Sequence, residues 1–295
     1  LLLAGLYPAF VLSGFSPAKV LKSSWRYNVK GVFLRKSVTI AQFAIAAALI
    51  MGTTVIYTQM DFIKHKDLGF NKEQLLNVQL PQDSISQQKI DYFQNELAQK
   101  TQVQGATVGN GLELGAVATT FAEKDGKKRE FLCNYFLIDP QFLPVFEVRL
   151  KEGRNLSDDF VTDKNEGFLV NDAFVKMMGW ESGVGKAIEG NGRKGKIVGV
   201  VNNFYYKSLH NIIEPLVLIY NILPDNGLAT ITTIKIKPTD LPVVKTIFKK
   251  NFPAAIFDYT FVDDTVNNQY RQDEVTMTLF KIFTLLAIFV SCLGL

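Results

Sequence analysis

From Ser37 to Met60 the chain runs for 24 residues without a charged side chain. At ~1.5 Å per residue a helix of that length covers roughly 36 Å, enough to cross a hydrocarbon core of about 30 Å with some tilt. A core helix of a water-soluble domain keeps a charged or polar face toward solvent, so the run is read as a membrane-spanning helix. Within it Ala41, Ala44, Ala48 and Gly52 recur at three- and four-residue spacing. Side chains that small let a neighbouring helix approach closely, and they are expected to form the packing face of the span.

The ends carry two more apolar stretches. Residues 1–18 are uncharged, open on Leu1-Leu2-Leu3 without Met, and read as the end of a truncated span; residues 275–295 read as the start of another, with Lys281 their one charge. The parent chain is therefore expected to continue in both directions. A secretory signal carries its basic residues before the apolar run. Here Lys19, Lys22, Arg26, Lys30, Arg35 and Lys36 follow it, with no acid among them. The positive-inside rule places that linker, residues 19–36, in the cytoplasm, so residues 61–274 lie outside.

Charge then divides sharply. All 28 acidic residues fall in residues 61–274, against 25 Lys and Arg, so the outer domain has a net charge of −3 although the whole chain carries +4. The basic excess reports topology rather than nucleic-acid binding. Of the two cysteines, Cys133 belongs to the outer domain and Cys292 to the last apolar run, so the domain has no internal disulfide.

Inside the outer domain two stretches share a strand, helix, strand pattern. The first is Leu75–Leu80, an amphipathic Ser86–Lys100 with Ile90, Phe93 and Leu97 on one face, and Val103–Val108; the second is Thr230–Lys237, Leu241–Lys250 and Ala255–Val262. Two such units predict a ferredoxin-like α+β subdomain, over residues 61–115 and 225–265. Residues 116–224 read as an inserted β-rich subdomain. It holds a strand at Glu130–Ile138, a helix at Asn171–Met178 and a hairpin turn at Asn191-Gly192 before the strand Lys196–Val201.

No catalytic constellation emerges. Gly190, Gly192 and Gly195 match G-x-G-x-x-G, yet a strand follows them where a dinucleotide site needs a helix. Gly185-Lys186-Ala187 lacks both the leading glycine of a P-loop, Trp180 standing there, and its Ser or Thr. His65 and His210 have no nearby Cys, His and carboxylate cluster in sequence, and the pairs Asp158-Asp159 and Asp263-Asp264 read as loop and capping residues. The chain is read as no enzyme, with no catalytic, cofactor or metal residues.

Four blocks carry a family resemblance. They are Gly5-Leu6-Tyr7-Pro8-Ala9 with Phe15-Ser16-Pro17-Ala18-Lys19-Val20-Leu21-Lys22; Leu34-Arg35-Lys36-Ser37; Ile197-Val198-Gly199-Val200-Val201-Asn202-Asn203-Phe204 with Ser208-Leu209-His210 and Glu214-Pro215-Leu216; and Asn268-Gln269-Tyr270 leading to Ser291-Cys292-Leu293-Gly294-Leu295. In that order the chain resembles the second half of a tandem permease of the MacB/FtsX-like ABC transporter family.

The resemblance implies a multi-pass protein of the bacterial inner membrane. Its outer part would be a periplasmic ferredoxin-like porter with an inserted β-rich subdomain. It also implies a separate cytoplasmic ABC ATPase subunit that holds the ATP and Mg, a second permease copy or half, a periplasmic partner, and export or mechanotransmission. An extracytoplasmic sensor, or an envelope-tethering protein without transport, is the alternative. Mechanically, Val266–Leu279 is expected to run as one helix from the domain into the last span, with Arg271, Asp273 and Glu274 above the membrane and Lys281 snorkelling to its surface.

Overall fold

The computed structural model describes residues 29–112, 115–220 and 231–293. In chain order the elements are helix α1 (Val29–His65), strand β1 (Leu75–Gln79), α2 (Ile90–Ala98), β2 (Gly105–Gly109), β3 (Ala116–Lys124), β4 (Lys127–Ile138), α3 (Phe142–Phe146) and β5 (Leu150–Gly153). They continue with β6 (Gly167–Asn171), α4 (Asp172–Met178), β7 (Ala187–Gly190), β8 (Arg193–Val201), β9 (Leu216–Tyr220), β10 (Ile231–Lys235), α5 (Leu241–Asn251), β11 (Tyr259–Phe261), α6 (Val262–Asn268) and α7 (Arg271–Leu293). The span expected over residues 1–18, the basic residues Lys19, Lys22 and Arg26, and the subdomain join near residue 225 lie outside the described residues.

The chain divides into two units, Phe62–Asp273 and the residues flanking it on both sides. The flanking unit contains most of α1 and α7, each long and apolar enough to cross a membrane. Helix α1 starts inside the stretch read as a basic linker, so Lys30, Arg35 and Lys36 sit on its first turns, and it continues past Met60 to Lys64 and His65, cations that suit a helix C-terminus. Both helices leave large apolar side chains bare: Phe33, Ile40 and Met51 on one, Leu285 and Phe289 on the other. In water such a surface is an association hazard; in lipid it is solvated.

In the Phe62–Asp273 unit, four strands form an antiparallel sheet in the order β11-β1-β10-β2. Taken in chain order, β1, β2, β10 and β11 stand in the arrangement 4-1-3-2, the ferredoxin-like order that two strand-helix-strand units produce. Helices α2 and α5 cover one face. The apolar residues of α2 fall on one stripe, Ile90, Phe93 and Leu97, and meet Val244, Ile247 and Phe248 of α5 in one core. Its centre is aromatic, with Phe93 edge-on to Phe248 at 5.9 Å and to Phe252 at 5.4 Å between centroids. The helix expected over Ser86–Lys100 is split, a short turn at Ser84–Gln87 preceding α2. Asp83 caps that turn by accepting from the Ser86 amide. The last strand is also shorter than expected, Tyr259–Phe261, because Pro253 and the turn from Asp258 to Ile256 occupy the residues before it.

Between β2 and β10 the chain builds a second sheet of seven strands, β5-β8-β6-β9-β4-β3-β7, in which β7 also pairs with β8. That extra pairing closes six of the strands into a ring. The joints β4–β9 and β6–β8 are parallel and the others antiparallel. Alternation of side chains along each strand sorts them into two cores. Tyr135, Leu137, Phe168, Val170, Val217 and Ile219 point into the ring, where Phe174, Val175 and Met178 of α4 join them. Phe136, Ile138, Leu169, Leu216 and Leu218 point the other way, onto α3 and the loop that carries Phe204. The β7–β8 hairpin turns on Asn191 and Gly192, at φ of 50° and 72°. Two positive values in succession belong to a tight hairpin turn whose twist matches its strands, as the Asn-Gly pair predicts.

One expectation is corrected here. Val266–Leu279 is not a single helix: α6 ends at Asn268, Gln269 caps it, and α7 begins at Arg271. The break is fixed by Tyr270, which is 6% exposed and turns its side chain into the domain.

Candidate functional site

The sequence block most specific to the family resemblance, Ile197 to Leu216, becomes strand β8, a structured loop and strand β9. Its polar residues act as fasteners. Asn203 Oδ1 accepts the Ala173 amide at 2.8 Å, and Tyr205 N donates to the Leu68 carbonyl at 2.8 Å. Phe204 is buried against Phe70 and Tyr206, with centroids 6.4 and 5.9 Å away. Further along, Lys207 Nζ lies 2.5 Å from Glu214, and Asn134 donates to the same carboxylate at 2.9 Å. These bonds hold the Glu214 carboxyl below the usual carboxylate range. Burial acts the opposite way on neighbouring phenols, pushing Tyr135 up to about 12.

The tip of this loop closes on the residues at the head of α7. The Leu209 amide donates to the Tyr270 hydroxyl at 2.8 Å. His210 Nε2 lies 2.9 Å from Asp273 Oδ2, and its ring sits 6.0 Å from that of Tyr270. Three contacts thus clamp the seven-stranded subdomain to the segment Tyr270–Asp273. The strings Ser208-Leu209-His210 and Asn268-Gln269-Tyr270 were visible separately in the sequence, and the fold brings them together across some sixty positions. Proximity of that kind leaves no periodic signal in a single chain.

In the flanking unit, α1 and α7 meet along a polar seam. Thr53 and Thr284 hydroxyls stand 2.7 Å apart, Thr284 also reaches the Leu49 carbonyl at 3.3 Å, and Ser291 reaches that of Gln42 at 3.5 Å. Lys281 Nζ lies 5.7 Å over the Tyr57 ring. Of the four small residues read as a packing face, Gly52 meets α7, where a Cβ would stand 3.5 Å from Phe280. Ala41, Ala44 and Ala48 are exposed. At ~100° per residue they lie about a third of a turn from the seam through Gln42, Leu49 and Thr53, so the alanine side stays open to another helix.

The motif-like glycines resolve without nucleotide geometry. Gly190 and Gly192 belong to the β7–β8 hairpin and Gly195 to β8, and the Gly185 amide donates to Ile197 O across the barrel wall. Asp158 accepts from the Tyr220 hydroxyl, Asp159 from Ser157, and Asp263 caps the amide of Asp264, as loop and capping residues do.

A ferredoxin-like four-stranded sheet with a β-rich insertion between its second and third strands, bounded by two apolar helices, is the fold of MacB-like periplasmic domains. The chain is similar to the periplasmic region of MacB from Actinobacillus actinomycetemcomitans, with a TM-score of 0.50 at 16% identity over 71% of this chain and 98% of that one. It is also similar to the extracellular domain of the noncanonic ABC-type transporter YknZ from Gram-positive bacteria, with a TM-score of 0.42 at 10% identity over 63% and 98%. No protein-family model and no curated protein matches the chain in sequence.

Proposed function

We propose that this chain belongs to the membrane subunit of an ABC-type transporter, in which a separate cytoplasmic ATPase holds ATP and Mg and drives motion of the outer domain. The basic residues from Lys19 to Lys36 keep one side of α1 in the cytoplasm, and Phe62–Asp273 faces the periplasm. The observation that carries the mechanical half of the reading is the clamp of Leu209 and His210 onto Tyr270 and Asp273.

Helix α7 begins at Arg271 and runs unbroken to Leu293, so its first residues belong to the domain and its remainder to a span. A displacement of that helix along or about its axis is delivered at Tyr270. A free peptide joint there would let the domain lag. The clamp removes that freedom by tying the loop of the seven-stranded subdomain to Tyr270 and Asp273, while α6 and β11 continue the chain into the four-stranded sheet. Both subdomains then receive the motion. A second permease copy or half would pack on the alanine side of α1, where helices associate through small residues.

The experiment is purification of the full-length parent from membranes. Co-purification of a P-loop ATPase whose hydrolysis depends on the permease supports the transporter reading. A parent that comes out alone, with a ligand bound to the outer domain, contradicts it in favour of an extracytoplasmic sensor.

A further inference from the structure

We infer that the outer domain carries a docking groove for an extended, basic segment of a partner protein, built on the free edge of β2. This goes beyond the permease reading and does not depend on it.

Among the described residues, strand β2 is the last strand of the four-stranded sheet, paired with β10 on one side only. The second half of its open edge is closed by the end of β4: the Val108 amide donates to Asp139 at 2.8 Å, and the Asn110 amide to the Leu137 carbonyl at 3.3 Å. In an antiparallel ladder every other residue turns both its N–H and C=O to the same side. Because Val108 points its amide away from β10, Ala106 does too. Ala106 opens onto a cleft of about 640 Å³ between the two sheets.

Asp139 and the end of β4 guard the second half of this edge, but its mouth at Gly105 and Ala106 lacks the usual guards. Exposed edges are normally blunted by Lys, Pro, a bulge or an inward charge. The sequence of β2, Gly-Ala-Thr-Val-Gly, has no charge and no proline. Gly105 and Ala106 at the mouth present at most a methyl group, so another backbone can come to pairing distance.

The cleft also selects what pairs there. Helix α2 covers one face of β2 and supplies Asp91, Gln94 and Asn95; beyond the other face stand Gln141, Asp158 and Tyr220. An added strand sends alternate side chains to the two sides. It would meet a carboxylate on each, Asp91 on one and Asp158 on the other; among the described lining residues the one cation is Lys164, 3.5 Å from Asp158. Amide side chains on both sides suit peptide carbonyls and amides. Two residues past Asp158 an apolar lip follows, with Phe160 48% and Val161 81% exposed. It is held rigid from beneath: Arg154 stacks 4.0 Å from the Phe160 centroid and grips the buried Asp163 at 2.5 and 2.8 Å. Charge complementarity therefore names a chain segment with Lys or Arg alternating with apolar residues, added to the sheet by strand pairing.

The test uses the full-length parent in lipid nanodiscs and a fluorescent hexapeptide, Lys-Val-Lys-Val-Lys-Val, read by anisotropy at physiological salt. The expected result is saturable binding of one peptide per chain. It should weaken by about tenfold or more when alternate peptide amides are N-methylated, and by a similar factor in the Asp91→Lys, Asp158→Lys double variant, whose substitutions lie on the surface. Equal binding of the plain and methylated peptides would show a general cation site and overturn the strand pairing. Equal binding of a Glu-Val peptide, or no saturable binding of any, overturns the groove itself.

Discussion

The two sheets of the Phe62–Asp273 unit are held together by different chemistry. On its helix side the four-stranded sheet owes its cohesion to a continuous apolar core in which Phe93, Phe248 and Phe252 interlock under α2 and α5, the sheet's one buried side-chain pair among the described residues being Thr233 with Asn77. The seven-stranded ring also has apolar cores, but its loops and joints are tied by buried polar groups. Arg154 holds Asp163 through two hydrogen bonds, with Asp163 1% exposed, and the Ser157 amide adds a third at 3.0 Å. Asn171 accepts from the amides of Phe174 and Leu216 and donates to the Glu214 carbonyl, joining β6, α4 and β9 at one side chain. Apolar packing tolerates sliding and gradual loss, whereas a polar tie is either satisfied or costly. A sheet bound by the first can serve as a stable base; a ring bound by the second keeps its loops in fixed places.

The sharpest way to break this comparison is Phe93→Ala. It should cost about 4 kcal/mol by opening a cavity under α2, seen as a lower denaturation midpoint with little dependence on pH. Next, Arg154→Ala leaves the Asp163 carboxylate buried without its partner and should cost about 3 kcal/mol. Protease cleavage at the Phe160–Val161 tip should accelerate in that variant and stay unchanged in Phe93→Ala below its melting temperature. Asn171→Ala removes a helix cap and strands the Leu216 amide, a loss of about 2 kcal/mol measurable by urea titration.

Acid sharpens the contrast in another way. Glu214 is held low by Lys207 and Asn134, so its contribution is present above the ordinary glutamate range and lost as pH falls through its depressed value. Because the carboxylate is 41% exposed, the loss is expected below about 1 kcal/mol. Glu214→Gln should flatten the acid limb of the stability curve by that amount, measured by denaturation between pH 7 and pH 3. Smallest of all, Thr284→Val removes the hydroxyl pair with Thr53 and should weaken association of α1 with α7 by about 0.6 kcal/mol, readable in a split-helix association assay in bilayers.

What could be read from the sequence follows the same division. The helix stripe Ile90, Phe93, Leu97 and the strand-helix-strand order around it are periodic over a dozen residues, so hydrophobic spacing exposes them. The Asn191-Gly192 turn is equally local. The ring is not: β4 pairs with β9 some eighty positions away, and β7 closes on both β3 and β8, joints that no spacing rule encodes. The polar ties are invisible for a related reason, since Arg154 and Asp163 look like ordinary surface residues until the fold buries one of them. One reading failed on context. Val266–Leu279 has helical composition throughout, but Tyr270 gains more by entering the domain core than the helix gains by continuing. The alanine stripe of α1 is legible by spacing, whereas the contact of α7 with Gly52 and Thr53 is not, since it depends on hydroxyls brought together from distant positions.

The central claim is that Tyr270 and Asp273 pass motion between α7 and the loop at Leu209 and His210. In the proposed transporter, a domain displaced on ATP binding would by linkage bias the affinity of the ATPase for ATP. The decisive measurement is ATP binding to the parent–ATPase complex in nanodiscs, with the Tyr270→Phe, His210→Ala double variant beside the wild type. The clamp predicts an intact complex whose ATP affinity shifts severalfold; an intact complex with unchanged affinity and hydrolysis would contradict it.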